Sequence, residues 1–259
     1  MSDLDQAAGQ LWVERWDAQQ EQYMVDREER FTVLIDAVEA GAGRLDPLVI
    51  DLGCGPGSLG VRLLARLPAA TVVGVDRDPI LLALGGAAYR DVTGLRFVDQ
   101  DLRAADWVAA LGLDRPADAA VSTTALHWLP GHALHAVYAA LATVLRPGGL
   151  LLNGDHLADD PAATPVLASL GDAVRTLAER RRGPAGTGED WKAWWAAVTE
   201  DPALAGPAAQ RAWRRLSEDH HGSETLLLGQ HLTALRDAGF SEVGTLWQHG
   251  DNRVLAAVR

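Results

Sequence analysis

The sequence predicts an α/β protein, a doubly wound, mostly parallel sheet with an antiparallel C-terminal strand pair and a helical lid insertion. Three observations carry this reading. Short apolar runs alternate with helical stretches through residue 155, several of the runs are apolar at every position, and a glycine-rich turn follows the first of them, in "LVIDLGCGPGSLG" at Leu48–Gly60. A strand that is apolar on both faces needs cover on both sides, which a parallel sheet between two helical layers supplies.

The elements follow in order. "REERFTVLIDAVEA" (27–40) sets Phe31, Leu34, Ile35 and Val38 at three- and four-residue spacing and runs into Gly41 and Gly43, so it reads as a helix. Strands are predicted at 48–53, 71–76, 95–101, 118–126 and 149–155, with helices at 58–68, 79–89 and 132–149 between them. Pro68 ends the first of these helices, and Pro147 with a glycine pair closes the last. The stretch 159–224 breaks the rhythm with Pro161, Pro165, Pro184, Pro202 and Pro207 and with Trp191, Trp194, Trp195 and Trp213. It is expected to be a helical insertion over the sheet edge where ligands bind. "HGDN" (249–252) then marks a hairpin, which makes the final strand pair antiparallel. The whole of 1–259 reads as one domain with a helical cover over 1–45.

Composition narrows the partners. A formal charge of -12 opposes binding to nucleic acid or to an anionic membrane, which leaves a small molecule as the expected partner. The single cysteine, Cys54, has no intramolecular disulfide partner, the first residues show no basic and apolar leader pattern, and no apolar run reaches a membrane span. A soluble, cytoplasmic protein is expected, and its oligomeric state is not legible.

A glycine turn between a strand and a helix lets the backbone approach a ligand at a helix N-terminus. A dinucleotide fingerprint would use Gly53 and Gly55 but meets Ser58 where its last glycine belongs. Asp51, two residues before the turn, would repel a pyrophosphate, whereas a ligand carrying an ammonium and a sulfonium would favour it. S-adenosylmethionine is such a ligand. Asp76, at the end of the second strand, suits the two hydroxyls of a ribose with either ligand.

In this order and spacing, "VIDLGCGPG", "VVGVDRDP", "FVDQDL", "AVSTTALHWL" and "LRPGGLLLNGD" resemble the consecutive motifs of class I S-adenosylmethionine-dependent methyltransferases, over roughly residues 25 to 155, and most closely the small-molecule branch. The resemblance implies that Gly53, Gly55 and Gly57 cradle the amino acid portion and ribose with Asp51 nearby, and that Asp76 holds the ribose. It further implies that Asp101 and Leu102 flank the adenine and that Thr123 lies beside the methionine portion. Arg77 stands where the family often has an apolar residue, and either stacks on the adenine or points to solvent. Tyr23 and Arg27, in an N-terminal helical cover, are further candidate contacts.

Methyl transfer is an in-line displacement, and a base matters when the acceptor arrives protonated. His127 and His156, beyond the fourth and fifth strands, are the candidate bases; the competing reading makes them packing groups. Cys54 is expected to pack in the turn. His132, His135, His220, His221 and His249 are expected to be solvated or structural, and no third ligand joins His220 and His221, so no metal is expected. Trp191, Trp194 and Trp195 either dock a helix or form a lid around an apolar or aromatic acceptor. Arg180, Arg181 and Arg182 read as a solvated turn or as an attractor for a carboxylate. Two other functions stay open: a dinucleotide-dependent oxidoreductase, and a non-catalytic protein that binds S-adenosylmethionine.

Overall fold

The computed structural model describes residues 4–24, 26–182, 188–216 and 226–259. Its elements run α1 (Gln6–Tyr23), α2 (Arg27–Gly41), β1 (Leu48–Leu52), α3 (Ser58–Arg66), β2 (Thr71–Asp76), α4 (Pro79–Ala88), β3 (Leu95–Asp99), α5 (Trp107–Ala110) and β4 (Ala117–Thr123). They continue α6 (Gly131–Val144), β5 (Leu145–His156), α7 (Pro165–Arg182), α8 (Trp191–Glu200), α9 (Ala205–Trp213), α10 (Leu228–Asp237), β6 (Glu242–His249) and β7 (Asn252–Val258). The strands form one sheet in the order β3-β2-β1-β4-β5-β7-β6. All pairings from β3 to β5 are parallel, and β7 is antiparallel to both β5 and β6.

The two faces of β1 show why this sequence takes this fold. Leu48, Ile50 and Leu52 pack with Leu134, Val137 and Leu141 of α6, while Val49 packs with Leu34 and Val38 of α2 and Leu63 of α3. Every residue of β1 is buried, and each large aliphatic side chain removed from water in this way contributes about 1.5–3 kcal/mol. The apolar helix α4 is likewise covered on its outer side: Ile80, Leu81 and Leu84 meet Trp12 and Val13 of α1 and Trp194 and Val198 of α8. Asp78 caps α4 by accepting from the backbone N–H of Ile80 at 3.0 Å, with Pro79 in the first turn.

Beside shifts of one or two residues elsewhere, the main departures from the expected boundaries fall at three places. The helix expected over 132–149 ends at Val144, and Leu145 already pairs with Ala117, so the Pro147 and glycine stretch is an irregular start to β5. The ladder resumes at Leu150, opposite Ala119, because Pro147 has no N–H to donate and Gly148 turns the chain at φ 71°. The fourth strand stops at Thr123, where Thr124 takes φ 50° and the chain turns into the short 3-10 helix Leu126–Trp128. The third strand stops at Asp99, where the loop bearing Asp101 begins.

Candidate active site

Strand order reverses between β1 and β4, and the carboxyl ends of strands at such a switch point leave a crevice between the loops that leave them in opposite directions. A cavity of about 940 Å³ opens there. Its floor is the turn after β1. Gly53 has φ 63°, and a Cβ on it would lie 2.4 Å from the Ala125 Cβ, so only glycine lets this turn pack under the loop after β4. The Gly55 N–H donates to Asp76 Oδ2 at 2.8 Å and the Asp78 N–H donates to Oδ1 at 2.8 Å. Burial pushes the Asp76 carboxyl up to about 6 against the pull of those N–H groups, and Asp76 lines the cavity with Gly53 and Gly55.

Two motif residues are not on the cavity wall. Gly57, at φ 91°, packs against Phe97, whose Cζ would sit 2.8 Å from an added Cβ; it caps α3 and lets the helix approach β3. Asp51 shares the face of β1 with Val49 and lies beneath the turn beside Gly60 of α3. It is buried, and neither oxygen has a hydrogen-bond partner within the described residues. Burial, then the charge of Asp76, pushes its carboxyl up to about 7. Burial also drives the Cys54 thiol well up, which favours packing over a reactive thiolate.

Arg77, Asp101 and Leu102 line one end of the cavity. The Asp101 carboxylate is already engaged, accepting from Arg103 Nη2 at 2.6 Å and from Arg77 Nη1 at 3.2 Å. Arg77 therefore turns to Asp101. Helix α9 is clamped over this end by Arg211 on Asp78 at 2.7 Å and by Arg214 on Asp99 at 2.6 and 2.8 Å. Nothing in sequence spacing announces these pairs, which join residues more than a hundred positions apart.

At the other end, Thr123 and Arg27 line the wall. The Thr123 Oγ1 is buried without a hydrogen bond. Arg27 is buried against Phe31, with Nη2 on Asp17 at 2.7 Å, while Nε and Nη1 make no hydrogen bond within the described residues. Asp17 also accepts from the Ser58 hydroxyl at 2.6 Å and from Arg62 at 3.1 Å, so one carboxylate that sequence reasoning missed ties α1, α2 and α3 together. The side chain of Tyr23 lies outside the described residues.

His127 and His156 both reach the cavity. His127 Nδ1 sits 3.0 Å from each oxygen of buried Asp155, and His156 Nδ1 sits 3.3 Å from Asp251 Oδ1. Burial lowers the His127 value, but the charge and hydrogen bond of Asp155 outweigh it and the opposing Arg30, leaving His127 raised. His132 and His135 are exposed, His249 pairs with Asp26 at 2.6 Å, and His220 and His221 lie outside the described residues. Trp194 is fully buried between Trp12 and Trp16 at centroid distances of 5.9 and 4.9 Å. Trp16, Trp191 and Trp195 form an indole wall on the cavity. Helix α8 thus both docks on α1 and faces the cavity.

Among the described residues no cluster of three metal-ligating side chains occurs, and no helix is long and apolar enough to cross a membrane. Residues 49–149 match the family model described as a methyltransferase domain. A trans-aconitate 2-methyltransferase of Methylobacterium nodulans is 36% identical over 136 residues, covering 52% of this chain and 48% of that protein. One from Streptomyces coelicolor is 36% identical over 108 residues, covering 40% and 33%. The chain thus spans about half or less of the length of these relatives. Among solved structures, the magnesium protoporphyrin IX methyltransferase of Synechocystis PCC 6803 with bound SAH superposes with a TM-score of 0.56 at 18% identity, covering 95% of this chain and 94% of that one, which is a likeness of fold. The glycine turn and Asp76 both lie within the residues that match the methyltransferase domain, and the seven-stranded sheet around them has the fold of the solved methyltransferase.

Proposed function

We propose that this chain transfers the methyl group of S-adenosylmethionine to a small-molecule acceptor with an apolar or aromatic body, acting in the cytoplasm. The observation that carries the reading is the continuity of one cavity from the Gly53–Gly55 turn and Asp76 to the indole wall of Trp16, Trp191 and Trp195. The residues present fit the cofactor: Asp76 offers a half-buried carboxylate to the ribose hydroxyls, and the Arg27 Nε, which makes no hydrogen bond within the described residues, suits a carboxylate. Thr123 Oγ1 awaits a polar partner on the same wall. The cofactor supplies an electrophilic methyl on a sulfonium. The protein's part is positioning and the exclusion of water, which account for much of the acceleration of such a displacement. The α8 and α9 segments serve as the lid, with Asp101 and Leu102 at the adenine and His127 or His156 as base.

A second reading, an acceptor bearing a carboxylate as trans-aconitate does, is favoured by Lys192 and Arg211 on the cavity wall. Calorimetry with S-adenosylhomocysteine and NADH separates the donor classes: binding of the first alone supports the proposal, and binding of NADH alone replaces it with a dinucleotide-dependent oxidoreductase. Tight binding with no transfer to any acceptor in a broad panel would identify a non-catalytic binding protein.

A further inference from the structure

The His127–Asp155 pair is chemically more than a packing contact. Asp155 stands on β5, 1% exposed, with buried Arg253 of β7 opposite it in the ladder, and its Oδ1 also accepts from the His156 N–H at 2.9 Å. A buried charge costs several kcal/mol unless it is paired, so a carboxylate at this place needs a reason. Burial raises the Asp155 value, but His127 and Arg30 outweigh it and keep the carboxylate ionised. An ionised carboxylate only accepts, so the hydrogen bonds at 3.0 Å assign the proton of the neutral ring to Nδ1. That leaves the lone pair on Nε2, which makes no hydrogen bond to any described residue, on a ring that lines the cavity. The ring is further fixed by Trp128, its centroid 4.6 Å away.

We propose that Asp155 is a positioning residue that holds His127 as a general base, and that the acceptor is a hydroxyl compound of phenol or enol type. The inference rests on the methyltransferase reading and names the substrate class of that site. A carboxylate acceptor is ionised at neutral pH and needs no base. An ammonium acceptor would meet Arg27 on the wall and buried Arg30 of α2 as like charges. A hydroxyl needs its proton removed and suits both groups. In the transfer the hydroxyl proton passes to Nε2, the oxygen lone pair forms the new O–C bond, and the electron pair of the broken C–S bond stays on sulfur. The imidazolium that results faces Asp155, and its proton returns to water when product leaves.

The charged groups that bear on His127 are Asp155 from β5 and Arg30 from α2, so its titration reports this arrangement directly. Histidine-selective nitrogen NMR on the ligand-free protein, with the His127 signal identified by its loss in His127→Gln, is expected to show the Nδ1–H tautomer and a midpoint above the ordinary histidine value. Asp155→Asn is expected to lower that midpoint and populate the other tautomer. In turnover, Asp155→Asn should lower kcat about a hundredfold with KM and S-adenosylhomocysteine affinity nearly unchanged, and should shift the acidic limb of the kcat profile with the NMR midpoint. His127→Gln should recover rate on acidic nitrophenols that arrive ionised, and the product should be a base-stable methyl ether. An Nε2–H tautomer in the wild type, or an equal effect of His127→Gln on ionised and protonated phenols, overturns the positioning role. Base-labile esters as the only products overturn the hydroxyl class while leaving the methyltransferase reading intact. Failure to bind S-adenosylhomocysteine removes that reading itself.

Discussion

The backbone N–H of Gly55 donates to Asp76 Oδ2 at 2.8 Å, so the carboxylate assigned to the ribose also holds the glycine turn in shape. Asp76→Ala then removes two things at once: an acceptor for ligand hydroxyls, and the partner of the Gly55 and Asp78 N–H groups. Hydrogen bonds to a charged acceptor contribute about 1.5–3 kcal/mol each, so affinity for S-adenosylhomocysteine should fall by at least about tenfold. A dissociation constant unchanged by calorimetry would show that the ribose lies elsewhere.

Asp51 gives the ligand-free protein a distinctive pH dependence. Its folded value, about 7, stands above the ordinary carboxylate value of about 3.9, so between these limits the folded state binds more protons than the unfolded state. Stability from this group is therefore present below pH about 4 and is lost as pH rises toward 7, a total on the order of 2–4 kcal/mol. Asp51→Asn removes that slope. Urea melts at pH 5 and pH 8 should show the variant gaining on the wild type at the higher pH. Parallel stability profiles would mean that Asp51 is solvated or paired in solution.

The parallel core and its glycine turn were legible because they rest on local patterns. The apolar run of β1, the glycine turn and the single carboxylate ending β2 each declare themselves within a few residues. What stayed hidden depends on pairs distant in sequence. Asp17 on Arg27 and Ser58, Arg214 on Asp99, and Asp155 on His127 join separate elements, and no periodicity encodes such contacts. One signal was available for Asp155, a carboxylate close behind the apolar run Leu150–Leu152 of an inner strand. The glycines misled in a different way: Gly53 and Gly57 look alike in the motif, yet the first lets the turn pack under Ala125 and the second lets α3 approach Phe97.

Arg27 offers a test that separates the two halves of the cofactor. If its Nε, which makes no hydrogen bond within the described residues, meets the methionine carboxylate, Arg27→Ala should weaken S-adenosylhomocysteine binding by about tenfold or more. It should scarcely change binding of 5′-methylthioadenosine, which lacks that carboxylate. Equal losses for both ligands would instead mean that the variant loosens the Asp17 link between α1, α2 and α3.

The tryptophans of α8 divide by position into two experiments. Trp194 is fully buried against Trp12 and Trp16, so Trp194→Ala should destabilise the protein by about 3–5 kcal/mol, as truncation of a large core side chain does. Trp191 lies on the cavity wall and is only partly buried, so Trp191→Ala should cost little in denaturant melts. Its effect should appear in the acceptor: KM rises several-fold while affinity for S-adenosylhomocysteine holds. A large stability loss from Trp191→Ala, with acceptor KM unchanged in the folded fraction, would reduce α8 to a docking helix. The acceptor would then have to be enclosed by the loop after β4, where Trp128 and Leu129 line the same cavity.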